Sequence, residues 1–179
     1  MSQQSGVPAQ APESHTSPQV VDLPAQPFAV VREQVPMAEM TSFFDRAFRA
    51  VAEAVARAGF AAEGPPIGLY RGMPTDTVDV TAGFPVPSGT PEGPLGASGA
   101  GDATEGSVQV IHLPAGRAAQ LLHVGSYDGL ASSYDVLMRW MQGQGLVPSD
   151  VMWEAYRTEP TPDGDGASMQ TLITWPVAE

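Results

Sequence analysis

The residue best placed to do chemistry is Glu154, within the strand-like run Val151-Met152-Trp153-Glu154-Ala155-Tyr156-Arg157-Thr158. Side chains alternate along a strand, so Met152, Glu154 and Tyr156 share one face, and Trp153, Ala155 and Arg157 the other. A carboxylate set among aromatic rings is penalised for its charge, and it either takes up a proton or finds a cation. A flat or bulky organic cation would supply that charge and stack on Tyr and Trp faces, at about 0.5–2 kcal/mol per contact. The same carboxyl, its pKa raised by apolar surroundings, could instead serve as general acid or base toward water, with Tyr156 or Tyr70 orienting a substrate. The plain alternative is a solvated strand glutamate with two tyrosines in the core or at its rim, and residue type alone leaves it standing.

Other combinations are weaker. His112 and His123 lie on one bent strand region with no third ligand at suitable spacing, so no metal is expected. Ser132, Ser133 and Asp128 with a histidine lack the Gly-x-Ser-x-Gly elbow of a hydrolase nucleophile. The Gly-rich stretch at 87–106 lacks the Gly-Lys-Ser/Thr ending of a phosphate loop. The chain has no Cys, which removes thiolate nucleophiles, disulfides and Cys-based zinc sites. No cofactor is implied.

The elements that must position Glu154 come from an internal duplication. Val21-Asp22-Leu23-Pro24-Ala25 and Ile111-His112-Leu113-Pro114-Ala115 carry Leu-Pro-Ala at the same offset. A helical segment follows in each half, closing at Gly59 and Gly145, and Tyr70 and Tyr156 follow those glycines at equal spacing. The halves end in Phe84-Pro85-Val86 and Trp175-Pro176-Val177. Shared landmarks in a shared order are the signature of a repeat. Gly68 then occupies in the first half the position that Glu154 holds in the second, leaving room opposite the carboxylate. A pseudo-two-fold relation would place Tyr70 and Tyr156 symmetrically about a cleft.

In the first helix, Phe44, Phe48, Val51, Val55 and Ala58 form one apolar stripe; Ser42 with Asp45 resembles a capping box, and Gly59 an αL stop. Leu130, Tyr134, Leu137, Met138 and Met141 repeat the stripe in the second. Thr77 to Ala82 alternates as a strand does, and Gln170 to Trp175 is β-prone. Each half therefore reads β-α-β-β, with its first strand bent at Leu-Pro-Ala. The fold class is α+β: antiparallel sheet with one helix per repeat and a central cleft. Residues 1–18 read as a disordered tail and 19–179 as one domain, with repeat 1 at about 20–86, a flexible linker at 87–106 and repeat 2 at about 107–177. Residues 159–167, rich in Pro, Gly and Asp, read as a hairpin loop.

The formal net charge of −12, with only eight basic residues, argues against direct nucleic-acid binding and against anionic membranes. The N-terminus lacks a secretory pattern and no apolar run is long enough to span a bilayer, so a cytoplasmic protein is expected. The duplication supplies its own two-fold cleft, which makes a monomer the leaner expectation.

Ala82-Gly83-Phe84-Pro85-Val86, Leu113-Pro114-Ala115-Gly116, His123-Val124-Gly125-Ser126-Tyr127-Asp128, Trp153-Glu154-Ala155-Tyr156 and Trp175-Pro176-Val177 together resemble the GyrI-like small-molecule-binding superfamily. That group includes effector-binding domains of AraC-type and MerR-type bacterial regulators. The resemblance spans about residues 19–178 and implies a duplicated β-α-β-β unit with an inter-repeat cleft. It implies a small organic ligand, a hydrophobic cation in the multidrug-sensing members, held by the residue matching Glu154. The family's pocket aromatics match Tyr70 and Tyr156. Trp153, Phe84, Trp175 and Tyr127, aromatics of the same motifs, are expected beside them. Other stand-alone members resemble hydrolases of strained electrophiles, which would make Glu154 catalytic, and others inhibit gyrase as protein partners. With no helix-turn-helix before residue 19, the expected role is a stand-alone binding protein rather than a direct transcription factor.

Overall fold

The structure, a computed structural model, describes residues 17–72, 75–95, 107–113, 115–125, 129–158 and 169–178. The expected tail, apart from Ser17 and Pro18, and the expected hairpin loop at 159–167 lie outside these residues. Two β-strands open the chain, β1 (Gln19–Leu23) and β2 (Gln26–Pro36), followed by a 3-10 turn (Met37–Glu39) and helix α1 (Met40–Arg57). Strands β3 (Ile67–Arg71), β4 (Thr77–Pro85) and the two-residue β5 (Gly93–Pro94) come next. The second half comprises β6 (Gln109–Leu113), β7 (Gly116–Val124), α2 (Leu130–Gly143), β8 (Val151–Tyr156) and β9 (Gln170–Pro176).

All these strands join one antiparallel sheet in the order β1-β7-β9-β8-β3-β4-β2-β6-β5. Leaving out β5, the order reads the same from either end once repeat-equivalent strands are exchanged. The fold is the duplicated α+β unit that the repeat predicts. The bend at Leu-Pro-Ala is a full break. Proline has no N–H to give to a ladder, so β1 stops at Leu23 and β2 restarts at Gln26, and β6 and β7 divide likewise at Leu113 and Gly116. Each short first strand then pairs with the opposite half: Leu23 with Gly116, and Leu113 with Gln26.

The two helices cover one face of this sheet, α1 over β2 and β4, and α2 over β7. Parity sorts the core accordingly. Ala29, Val31 and Val35 of β2 turn toward α1 and pack with Val78, Val80 and Ala82 of β4. Phe28 and Val30 turn to the opposite face, where they bury Ile67, Leu69, Leu113 and Trp153. On α1 the fully packed positions are Phe43, Ala47, Val51, Ala54 and Val55, so the Phe44 and Phe48 edge of the expected stripe stands only half-buried. Leu137 and Met141 of α2 pack against Ala119, Leu121 and Ile173 of the sheet.

Gly59 and Gly145 stop the helices at φ +80° and +71°, the left-handed region that a Cβ disfavours. The expected capping box is replaced. The 3-10 turn starts α1 at Met40, which puts Ser42 inside the helix, where its hydroxyl donates back to the Glu39 carbonyl at 3.0 Å. Of the expected linker, 87–106, the structure describes residues 87–95. Residues 87–95 pack along β6, with Thr90 7% exposed and β5 pairing Gly93 with Val110. Residues 96–106 lie outside the described set.

Candidate functional site

Strands β3 and β8 form the centre of the sheet, and their register makes Gly68 and Glu154 direct partners. Equivalent positions in these strands are 86 residues apart, the separation of Tyr70 and Tyr156. The pair 68–154 is therefore related to itself and marks the pseudo-two-fold axis. Tyr70 and Tyr156 flank it symmetrically, their hydroxyls 3.4 Å apart.

The two halves then diverge in chemistry. Phe48 stands as far before Gly59 as Tyr134 does before Gly145, so these two are counterparts on the helices, as are Phe44 and Leu130. Glu154 is only 6% exposed. The Tyr134 hydroxyl donates to its Oε1 at 2.5 Å, and the Tyr156 hydroxyl to its Oε2 at 2.8 Å. In the first half the corresponding volume is apolar: Phe44 and Phe48 stack at 5.6 Å between ring centres and meet Tyr156 edge-on. The room expected over Gly68 is taken. A Cβ there would lie 2.7 Å from the Tyr156 hydroxyl and 3.0 Å from the Phe44 ring, so Gly68 is what lets both reach the axis.

Burial drives the Glu154 pKa above the ordinary carboxylate range; the Tyr134 and Tyr156 hydroxyls and the charge of His123 pull it partly back. Burial and the neighbouring carboxylate raise the phenols of Tyr134 and Tyr156, which keeps both as donors. His123, buried behind this group, bonds through Nδ1 to the Ser133 hydroxyl at 2.7 Å. No group of three or more potential metal ligands occurs among the described residues.

Glu154 forms part of the wall of a cleft of about 650 Å³ between helices and sheet, within the size range of small-molecule pockets. Phe44, Phe48, Phe84, Tyr70 and Tyr156 supply its aromatic lining, and the exposed Asp45 adds a second acid. Four of the expected residues thus meet there: Glu154, Tyr156, Tyr70 and Phe84. Trp153 does not join them. Adjacency in the motif groups it with Glu154, but strand parity sends it through the sheet to the Leu69 cluster. Trp175 is on the helix side but does not line the cleft. It packs edge-on against Tyr134 at 6.3 Å and donates its indole N–H to the Ser149 carbonyl, so it braces the tyrosine that holds Glu154. Tyr127 lies outside the described residues.

Tyr134, Phe44 and Phe48 also meet at this place, although each sits in a helical apolar stripe and reads as core. The available signal was a hydroxyl in that stripe, since a buried Tyr O–H needs a partner.

The family model for the GyrI-like small molecule binding domain matches residues 16–177. No curated protein matches the chain. Among solved structures, a cryo-electron-microscopy structure of an EcmrR–DNA complex superposes with a TM-score of 0.68 at 20% identity, over 93% of this chain and 58% of that one. The chain thus spans little more than half of EcmrR. A hydrolase from Listeria innocua gives 0.63 at 17% identity over 94% of each chain. The structure of SAV2435 bound to tetraphenylphosphonium gives 0.56 at 15% identity, over 91% of this chain and 94% of that one. At these identities the likeness is one of fold. No helix among the described residues is long and apolar enough to cross a membrane.

Proposed function

The chain belongs to the GyrI-like small-molecule-binding family, and on that premise we propose that its cleft takes up amphipathic aromatic cations, with Glu154 as counter-charge. The observation that carries this reading is a single buried carboxylate, held by two tyrosine hydroxyls, in a cleft whose lining includes three phenylalanines and two tyrosines. Neither of these hydrogen-bond partners is charged, and a delocalised cation supplies positive charge with little desolvation cost while stacking on the surrounding rings. Expected ligand contacts are Glu154, Tyr70, Tyr156, Phe84, Phe44 and Phe48. SAV2435, which shares the fold, is described in complex with a cation of this kind. Titrating tetraphenylphosphonium into the wild type and Glu154→Gln tests the reading: at least tenfold weaker binding by the variant is expected, and equal affinities would overturn it.

A second reading rests on the raised pKa of Glu154. A carboxyl whose pKa stands above the ordinary range can give and take a proton in hydrolysis of a small electrophile, and a Listeria hydrolase shares the fold. In that case Glu154→Gln abolishes turnover of a strained electrophile, such as a small epoxide, while binding survives. Undiminished turnover removes Glu154 from any such mechanism.

A further inference from the structure

The face of the sheet opposite the helices carries a second cleft, of about 510 Å³, bordered by both Leu-Pro-Ala breaks. Leu23 and Leu113, the last residues of the two exchanged strands, line it together with Ile111 and Val151, continuing the buried cluster around Leu69 and Trp153. Arg71 and Arg117 also line it, and Asp150 is the one acid among its lining residues.

Two arginines together are unusual in a chain with eight basic and twenty acidic residues. The ion pairs between arginine and carboxylate in the described residues use Arg32, Arg46 and Arg57, not Arg71 or Arg117. Each does face an acid across a strand register, Arg71 opposite Asp79 and Arg117 opposite Asp22. Both Asp79 oxygens, however, accept from Arg32, at 2.9 and 2.6 Å. The Arg71 Nε is buried and has no hydrogen-bond partner among the described residues. A buried donor left in that state is destabilising, and an incoming acceptor would relieve it.

We propose that this cleft is a second ligand site and takes an amphipathic monocarboxylate. The carboxylate would sit on Arg71, whose planar fork matches its two oxygens, and Arg117, at the rim where β7 begins and on the strand parity of Ala119 and Leu121, would add its charge. The aliphatic body would lie against Leu23, Ile111 and Leu113. The site is independent of the Glu154 cleft, being on the other face of the same central strands and of opposite charge.

Calorimetric titration with decanoate, decanol and inorganic phosphate tests this on the full chain. One decanoate should bind per chain, with decanol and phosphate each at least tenfold weaker. Arg71→Gln should weaken decanoate tenfold or more, Arg117→Gln and Arg71→Lys should each lose less, and Glu154→Gln should leave it unchanged. Arg117 is exposed, so its variant reports on the site even if Arg71→Gln fails to fold. Decanoate affinity unaffected by Arg117→Gln, phosphate binding as tight as decanoate, or loss of decanoate in Glu154→Gln would each overturn the proposal. The last of these would mean that the acid occupies the other cleft.

Discussion

Tyr70 and Tyr156 meet hydroxyl to hydroxyl, 3.4 Å apart, although 86 residues separate them in the chain. They are equivalent by the repeat, yet they differ in what they touch. The Tyr156 hydroxyl donates to Glu154 at 2.8 Å, whereas Tyr70 is bonded to the carboxylate's neighbour. This asymmetry ranks the three tyrosines around the acid and gives each a distinct expected effect.

Removing a donor to the ionised carboxylate raises its pKa further. Tyr134→Phe, which installs the residue its counterpart Phe48 already has, and Tyr156→Phe should each shift the pH midpoint of phosphonium binding upward by about 1–2 units, the equivalent of roughly 1.5–3 kcal/mol for a hydrogen bond to a charged group. Tyr70→Phe should move it less. Fluorescence or calorimetric titrations from pH 5 to 9 measure the three midpoints, and an unmoved midpoint in Tyr134→Phe contradicts the role given to that hydroxyl.

A cation requires Glu154 ionised, and its pKa lies above the ordinary carboxylate range. Affinity for a phosphonium ion should therefore fall about tenfold per unit as pH drops below that raised value. In the same range, binding should release a proton. Calorimetry in two buffers of different ionisation enthalpy counts that proton, and pH-independent affinity would show that Glu154 does not pair with the ligand.

The same shift has a cost for stability. A raised folded-state pKa means that the fold prefers protonated Glu154, so its contribution is present below the ordinary carboxylate range and is lost as pH rises through the raised value. Above it, the ionised carboxylate is a burden. Glu154→Gln can still meet both tyrosines, through its oxygen and its amide, so it should melt a few degrees higher than the wild type at pH 8. Thermal scans at pH 4 and pH 8 should show the difference narrowing in acid. A variant less stable at pH 8 would argue that the hydrogen bonds outweigh desolvation.

Gly68→Ala should weaken phosphonium binding and destabilise the protein by about 1–3 kcal/mol, since its methyl group meets the Tyr156 hydroxyl and the Phe44 ring. Denaturant melts and titrations measure the two effects. Gly83→Ala provides the contrast. Its Cβ would overlap the Ala29 carbonyl, so it should destabilise more than Gly68→Ala without involving either tyrosine.

The exchange of β1 and β6 predicts that residues 1–100 and 101–179, co-expressed as two polypeptides, purify as one complex. Each piece carries a strand that completes the sheet of the other, Leu23 on Gly116 and Leu113 on Gln26. Pieces that fold and elute separately would show that β1 and β6 do not hold the halves together.

Much of this architecture was legible in the sequence because the repeat leaves local marks: Leu-Pro-Ala, a glycine after each helix, and a proline-containing close to each half. The alternation around Glu154 also placed Tyr156 and, by symmetry, Tyr70. What could not be read depends on partners far away in the chain. Leu-Pro-Ala signals a break but not which strand the freed segment joins. Phe44, Phe48 and Tyr134 look like core because periodicity reports that a side chain is turned inward, not whether it meets packing or a cleft. Trp153 shows the opposite error, a motif neighbour that parity carries to the far face. The Gly68 vacancy was misread because a missing side chain says nothing about who fills the space.

The self-paired position on the axis has one further consequence. Two identical halves would have to carry the same residue on both sides of it. Two glutamates would force like charges together, and one would have to stay protonated; two glycines would leave no charge at all. A lone carboxylate at a two-fold axis is an odd charge, which only unequal partners can supply. By joining two non-identical halves, this chain escapes the even-number rule that a symmetric dimer would impose, and it does so at the one pair, Gly68 and Glu154, where the rule applies.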